Sequence, residues 1–282
     1  MDKRKLEENF FKLLMMASTF IVVGSLFAVF AVVVWKGAPA LNLSMITQTP
    51  KGGYYLGKEG GILNAIVGSL YLAGEATALA FVLSLPIALY LHEYAGRSRL
   101  ASFTRLSLDV AAGVPSIVYG AVCFILMLFL GMRASLLWGI IAVALLILPI
   151  MTRAMDEVLS MVPSKLREAS YALGATRLET MLKVVSRQAL PGILTAILLA
   201  FGRGIGDAAS VLFTAGFSDR IPVSLFDPAA TLPLAVFFQL GTPTPEVQQR
   251  AYASGLILLI LILSFSVASR LLTRKFSKYV VR

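Results

Sequence analysis

The sequence predicts an all-α integral membrane protein of about six transmembrane helices, and three observations carry that prediction. The 282-residue chain is 58% hydrophobic and 14% charged, with a mean hydropathy of +0.83, whereas a soluble domain carries about a quarter charged residues. Its apolar residues fall in blocks of about 20 or more, enough to cross a hydrocarbon core of ~30 Å at ~1.5 Å per residue. Its Lys and Arg residues crowd into alternate connecting segments, the asymmetry expected of a multi-pass helix bundle.

In chain order the blocks are 11–35, 62–91, 108–130, 134–151, 192–215 and 251–272, treated as one transmembrane domain over 1–282. The first follows Lys3, Arg4 and Lys5 and precedes Ala38, Pro39 and Ala40, which resemble a signal-peptide cleavage site. Its apolar stretch of about 24 residues exceeds the roughly 7–15 of a signal core, so an uncleaved helix is expected. Arg97, Arg99, Arg105, Arg153, Lys165, Arg167, Arg177, Lys183 and Arg187 fall on the same side as both basic termini. The other side holds Lys36, Lys51, Lys58, Arg133, Arg220 and Arg250. The positive-inside tendency puts the crowded side and both termini in the cytoplasm. The net charge of +10 therefore belongs to loops beside lipid and does not call for nucleic acid. Cys123 is the sole cysteine, which excludes a disulfide framework and a thiolate metal site.

Two loops are long enough to have structure of their own: 152–190 inside and 216–250 outside. The outer one contains an apolar run, 229–240, too short to span and suited to a re-entrant or interfacial position. In the inner one, Ser164 is a candidate N-cap and Gly174 a left-handed helix end. Thr176 with Glu179 forms a capping box for a second helix, which is expected to run to a turn at Pro191. Leu166, Ala169 and Leu173 share a face opposite Lys165 and Glu168. Such an amphipathic unit outside the membrane suits a groove on a soluble partner; the alternative is a charged connector.

Glu168, Ala169 and Ser170, with Gly174 four residues later, resemble the EAA loop of ABC-importer permeases, in which a coupling helix docks on an ATP-hydrolysing subunit. Residues 113–120 (GVPSIVYG), 167–174 (REASYALG), 212–215 (LFTA), 87–91 (IALYL), Glu93 and Tyr94 are similar to the strings of the phosphate transport permease family PstA. The resemblance implies a type I importer permease working by alternating access. It assigns ATPase coupling to Ser164, Leu166, Arg167, Glu168, Ala169, Tyr171, Leu173, Gly174, Ala175 and Thr176. It implies as partners a second permease, two ATPase subunits that bind the ATP and Mg, and an extracytoplasmic phosphate-binding protein. This chain would hold no cofactor and catalyse nothing. Three departures are visible: Ser170 stands for an Ala, Ser186 and Arg187 for Leu-Pro, and Gly206, Asp207 and Ala208 for Gly-Glu-Thr.

Three charges lie inside apolar blocks, where each costs roughly 2.5–3.5 kcal/mol at mid-span and so requires a partner or a role. Arg203 lies ~18 Å along a helix from Pro191, Asp207 one turn further on the same face, and Glu75 in the second block, within possible reach of Arg203 across helices. Two readings stay open: Arg203 as a passing contact for an oxyanion, or as a clamp that fixes helix packing. Glu75 fits the packing role better. Gly202 and Gly206 permit close approach of another helix, within the subunit or from a second permease.

Some patterns are rejected. Residues 52–58 (GGYYLGK) imitate a P-loop, but Glu59 replaces the Ser or Thr and the segment is external. His92, the sole histidine, sits at a block edge with no nucleophile beside it. The competing functions are a permease for molybdate or sulfate, and an ion-driven secondary transporter, which would ordinarily show internal repeats.

Overall fold

The structure, a computed structural model, describes residues 3–51, 59–96 and 98–277. The P-loop-like stretch at 52–58 lies outside the described residues, as do Arg97, Lys278 and Arg282.

The chain opens with α1 (Lys3–Gly37), whose apolar window is entirely unburied. It packs on the last helix through its end, where Gly37 leaves no room for a side chain against the Tyr252 carbonyl and Lys36 lies 5.0 Å over the Tyr252 ring. A short α2 (Leu43–Thr47) is capped by the Asn42 side chain, which accepts from Met45 N at 2.7 Å. Strands β1 (Pro50–Lys51) and β2 (Glu59–Gly60) pair antiparallel, Pro50 facing Gly60.

Helix α3 (Leu63–Tyr90) presents Ala65, Gly68, Ala73, Ala76 and Ala80 to the bundle, small residues that admit close helix approach. It ends in a π-helical turn, Leu91–Ala95, closed by Gly96 at φ +53°. Next come α4 (Arg99–Ala112), capped by Ser98, and α5 (Ser116–Phe129). The expected straight span at 108–130 is thus corrected: α4 and α5 meet at 96°. Pro115 lacks an N–H and stands at ψ 137° as the N-cap of α5, so the helix breaks there. Tyr119 holds the bend by donating its hydroxyl to Ala111 O at 2.8 Å.

Helix α6 (Leu136–Ser160) runs well past the expected boundary at 151. The inner loop therefore starts later than 152, because Met155 and Leu159 continue the buried stripe and the charge of Asp156 is met by arginines. Then follow α7 (Ser164–Ala172), a single turn α8 (Arg177–Glu179), a second π-helical turn (Thr180–Val185) and α9 (Ser186–Ile205). Pro191 does not make the expected turn but lies inside α9. A lost N–H bond is tolerated where neighbouring helices pack on both sides, and Ala189, Ile193 and Ala196 are buried.

The fifth block also stops early: α9 ends at Ile205, and residues 207–215 form irregular turns. The Asp207 carboxylate accepts from Ser210 N at 2.8 Å, giving the backbone a local alternative to the helix. The apolar run in the outer loop becomes α10 (Leu232–Leu240), capped by Thr231 and seated against α3 and the last helix. That helix, α11 (Pro245–Ser277), begins before the expected outer loop ends at 250.

The core gathers Val143, Ile147, Met151 and Met155 of α6, Ala76 and Ala80 of α3, and Ala189, Ile193, Ala196 and Ala200 of α9. Among the described residues five helices (α1, α3, α6, α9 with its preceding turns, and α11) are long and apolar enough to cross a membrane. The bent α4/α5 pair makes a sixth if it counts as one span.

Candidate functional site: a docking helix and a helix-end arginine

Helix α7 projects from the bundle between the two π-helical turns. Its N-cap is Pro163, not Ser164, and Ser164 makes no capping bond. With Pro163 fixing the entry angle, Ser164 occupies the first helical position instead. Gly174 does close the helix, at φ +84°. The capping box is complete: Thr176 Oγ1 accepts from Glu179 N at 3.3 Å, and the Glu179 carboxylate accepts from Thr176 N at 3.0 Å.

The expected face of Leu166, Ala169 and Leu173 is split. Leu166 packs on the core, while Ala169 and Leu173 point outward, Leu173 at 89% exposure. Tyr171, Glu168 and Thr176 are also exposed, Ala175 is half-buried, and Met161 and Leu178 extend the apolar tip. Arg167 turns inward: Nε donates to Glu93 Oε1 at 2.9 Å, Nη1 to Val162 O at 2.8 Å and Nη2 to Leu159 O at 3.3 Å. Ser170, which stands for an alanine, also has a structural use. Its hydroxyl lies 2.8 Å from that of the buried Thr180.

Sequence reasoning missed the polar network beside α7. Arg105 of α4 binds Asp156 through Nε at 2.7 Å and Nη2 at 3.1 Å, and donates to the carbonyls of Gly96 and Leu91. Arg153 bridges Asp109 at 2.6 Å and Asp156 at 3.2 Å. Asp156 interrupts an otherwise apolar stripe, a signal visible in the sequence, but the identity of its partners required the fold.

Arg203 sits in the last turn of α9, and its Nη1 donates to Asp207 Oδ1 at 3.0 Å. The Asp207 side chain is 5% exposed and that of Arg203 43%, so the acid is buried and the guanidinium open. Glu75 is not part of this pair. It is exposed on α3 and makes no ion pair with Arg203 among the described residues, because the alanine face of α3 is the one turned to α9. Among the described residues Gly202 and Gly206 do not pack closely on another helix. A Cβ at Gly202 would meet nothing within 4 Å, and one at Gly206 only the Gly202 carbonyl. Arg203 also lines a crevice of about 560 Å³ between α9 and α11, with Thr195, Ser266, Ser269 and Arg270 among apolar neighbours.

This geometry accords with what the chain resembles. The profile of the family described as "Binding-protein-dependent transport system inner membrane component" matches residues 80–278. The Mycobacterium tuberculosis protein "Phosphate transport system permease protein PstA 1" is 39% identical over 215 residues, covering 76% of this chain and 70% of the relative. The PstA of Mycobacterium leprae is 35% identical over 263 residues, 92% of this chain and 86% of its own length. The chain belongs to the PstA family of binding-protein-dependent transport permeases. The PstA of Haemophilus influenzae, 33% identical over 84% of this chain and 83% of its own, extends the likeness.

Solved structures share the PstA-family fold at lower identity. A chain of a bacterial alginate ABC transporter, in complex with an alginate pentasaccharide-bound periplasmic protein, superposes with TM-score 0.67 at 12% identity, covering 99% of each chain. A chain of the inward-facing MetNI methionine ABC transporter gives TM-score 0.64 at 19% identity over 76% of this chain and 95% of that one. The architecture is that of a type I ABC-importer permease, and the PstA-family strings acquire positions in it. Residues 113–120 make the α4/α5 bend, 167–174 make α7, and Glu93 with Tyr94 lies in the first π-helical turn.

Proposed function

We propose that this chain is the membrane permease of an ATP-driven importer of inorganic phosphate and supplies half of a pathway that opens alternately to the two sides. The observation that carries the reading is α7: one face is fastened to the bundle while Glu168, Ala169, Tyr171 and Leu173 stand free for a partner. The relatives' names supply the substrate class. The partners follow from it: two ATPase subunits that bind ATP and Mg and meet α7, a second permease, and an extracytoplasmic phosphate-binding protein. The chain itself catalyses nothing and holds no cofactor. The arginine-crowded end, with both termini, faces the cytoplasm. The open face at Gly202 suits the second permease.

In this reading Arg203 is a brief contact for phosphate. Asp207 takes one guanidinium nitrogen, so the remaining fork donors match an oxyanion while the neighbouring carboxylate keeps the hold weak enough for release. The test is labelled orthophosphate uptake, with sulfate as control, in cells lacking this chain and supplied with wild type or Arg203→Gln. Uptake restored by wild type and lost in a normally assembled Arg203→Gln complex is expected. No phosphate uptake with wild type would refute the substrate; normal transport by the variant would leave Arg203 as a packing clamp.

A further inference from the structure

Helix α7 follows α6 after a short turn and is released by the left-handed Gly174, so its covalent connections permit it to pivot. Against this stand Leu166 packed on the core, the Ser170–Thr180 hydroxyl contact and one guanidinium. Arg167, with 16% of its side chain exposed, reaches Glu93, with 7%, and also donates to two carbonyls at the C-terminal end of α6. A positive charge there also opposes the negative end of the α6 dipole. Glu93 lies on the π-helical turn that extends α3, so a single side chain ties α7 to the ends of α3 and α6. Those two helices form the most extensive helix pair in the molecule, and α6 also packs on α9. Among the described residues Arg167–Glu93 is the one ion pair joining α7 to the α3 end.

We infer that Arg167 and Glu93 form a positioning pair that transmits displacement of α7 into α3 and α6. This places Arg167 on the bundle side of the docking helix, away from the partner, and gives Glu93 a part in energy coupling. The joint is stiff for a physical reason. A paired, nearly buried guanidinium fork resists both pulling and rotation, since separating the charges would leave each desolvated and unpaired. The face carrying Ala169 and Leu173 remains free to be pushed. The inference rests on the importer reading above, and the test separates the two.

The whole importer, with its partner subunits and binding protein, is reconstituted in liposomes, and phosphate taken up per ATP hydrolysed is measured. Glu93→Gln is expected to assemble and hydrolyse ATP at near wild-type rate but to lose roughly tenfold in uptake per ATP, within the span of ordinary coupling energies. Arg167→Gln should do the same, and the double variant should be no worse than either single one, as for two residues acting as a unit. Glu93→Asp, which keeps the charge, should recover much of the ratio, and Arg167→Gln serves in place of Glu93→Gln if that variant fails to assemble. An unchanged ratio in Glu93→Gln, or single losses that multiply in the double variant, would overturn the inference. So would a Glu93→Asp complex no better than Glu93→Gln. Absence of ATP-dependent uptake by wild type would instead overturn the importer reading, and the inference with it.

Discussion

The two ends of the helix bundle are fastened by different means. At the end bearing α7, the joints are arginine side chains: Arg105 and Arg153 on Asp156, and Arg167 on Glu93. At the opposite end, main-chain N–H and C=O groups take part in the joints. Ser135, Leu136 and Leu137 donate their N–H groups to the carbonyls of Thr214, Asp227 and Leu225, which supplies partners to the otherwise unpaired start of α6. Leu232 N donates to Ser69 Oγ at 2.7 Å, and the Asn64 amide donates to Ser218 O at 2.7 Å. Gly68 and Gly120 leave no room for a Cβ against the carbonyls of Ala230 and Ser210. Arginine forks carry a displacement of one element into the next while the charges stay paired, whereas a carbonyl packed on a glycine cannot slide without separating. One end is therefore built to be moved and the other to hold, as expected of a machine driven through α7.

The largest break in this contrast should come from Asp156→Ala, which leaves Arg105 and Arg153 without their shared carboxylate. A loss of about 3 kcal/mol is expected, seen as a lower thermal midpoint of the detergent-solubilised complex. Gly68→Ala attacks the other end and should cost about 2 kcal/mol by overpacking. The sharper comparison sets Arg105→Lys, which loses the bidentate fork but keeps a flexible charge that reaches Asp156 and so part of the stability, against Gly68→Ala, which has no compliant neighbour to absorb it. Thr176→Ala removes the capping box behind α7 and should cost about 1 kcal/mol. Least of all, Lys183→Gln breaks an exposed pair with Glu179 and should leave the midpoint essentially unchanged. A loss at Lys183 as large as that at Asp156 would show that the buried network is not special.

Much of the fold was legible because lipid imposes a simple rule: long apolar blocks become helices. Where the blocks misled, local backbone chemistry explains it. Pro115 split one block into two helices at a steep angle, and Asp207 ended another by capturing Ser210 N. Pro191 worked the other way and was absorbed into α9. Gly174 and the Thr176–Glu179 box were readable because capping is a matter of neighbouring residues. The same holds for Arg203 and Asp207, four residues apart on one chain segment. Glu93–Arg167 and Arg105–Asp156 are separated by 74 and 51 residues, and no local pattern joins them. Glu75 was the converse case: a charge in an apolar block invited a partner, but its helix turned the alanine face inward and left the acid exposed.

The central claim, that this chain passes phosphate under ATP power, is tested most directly by labelled orthophosphate entry into liposomes carrying the complete complex and its binding protein. The account predicts uptake that requires ATP and is unaffected by excess sulfate or molybdate. Uptake driven by an ion gradient without ATP, or abolished by either competing oxyanion, would contradict it.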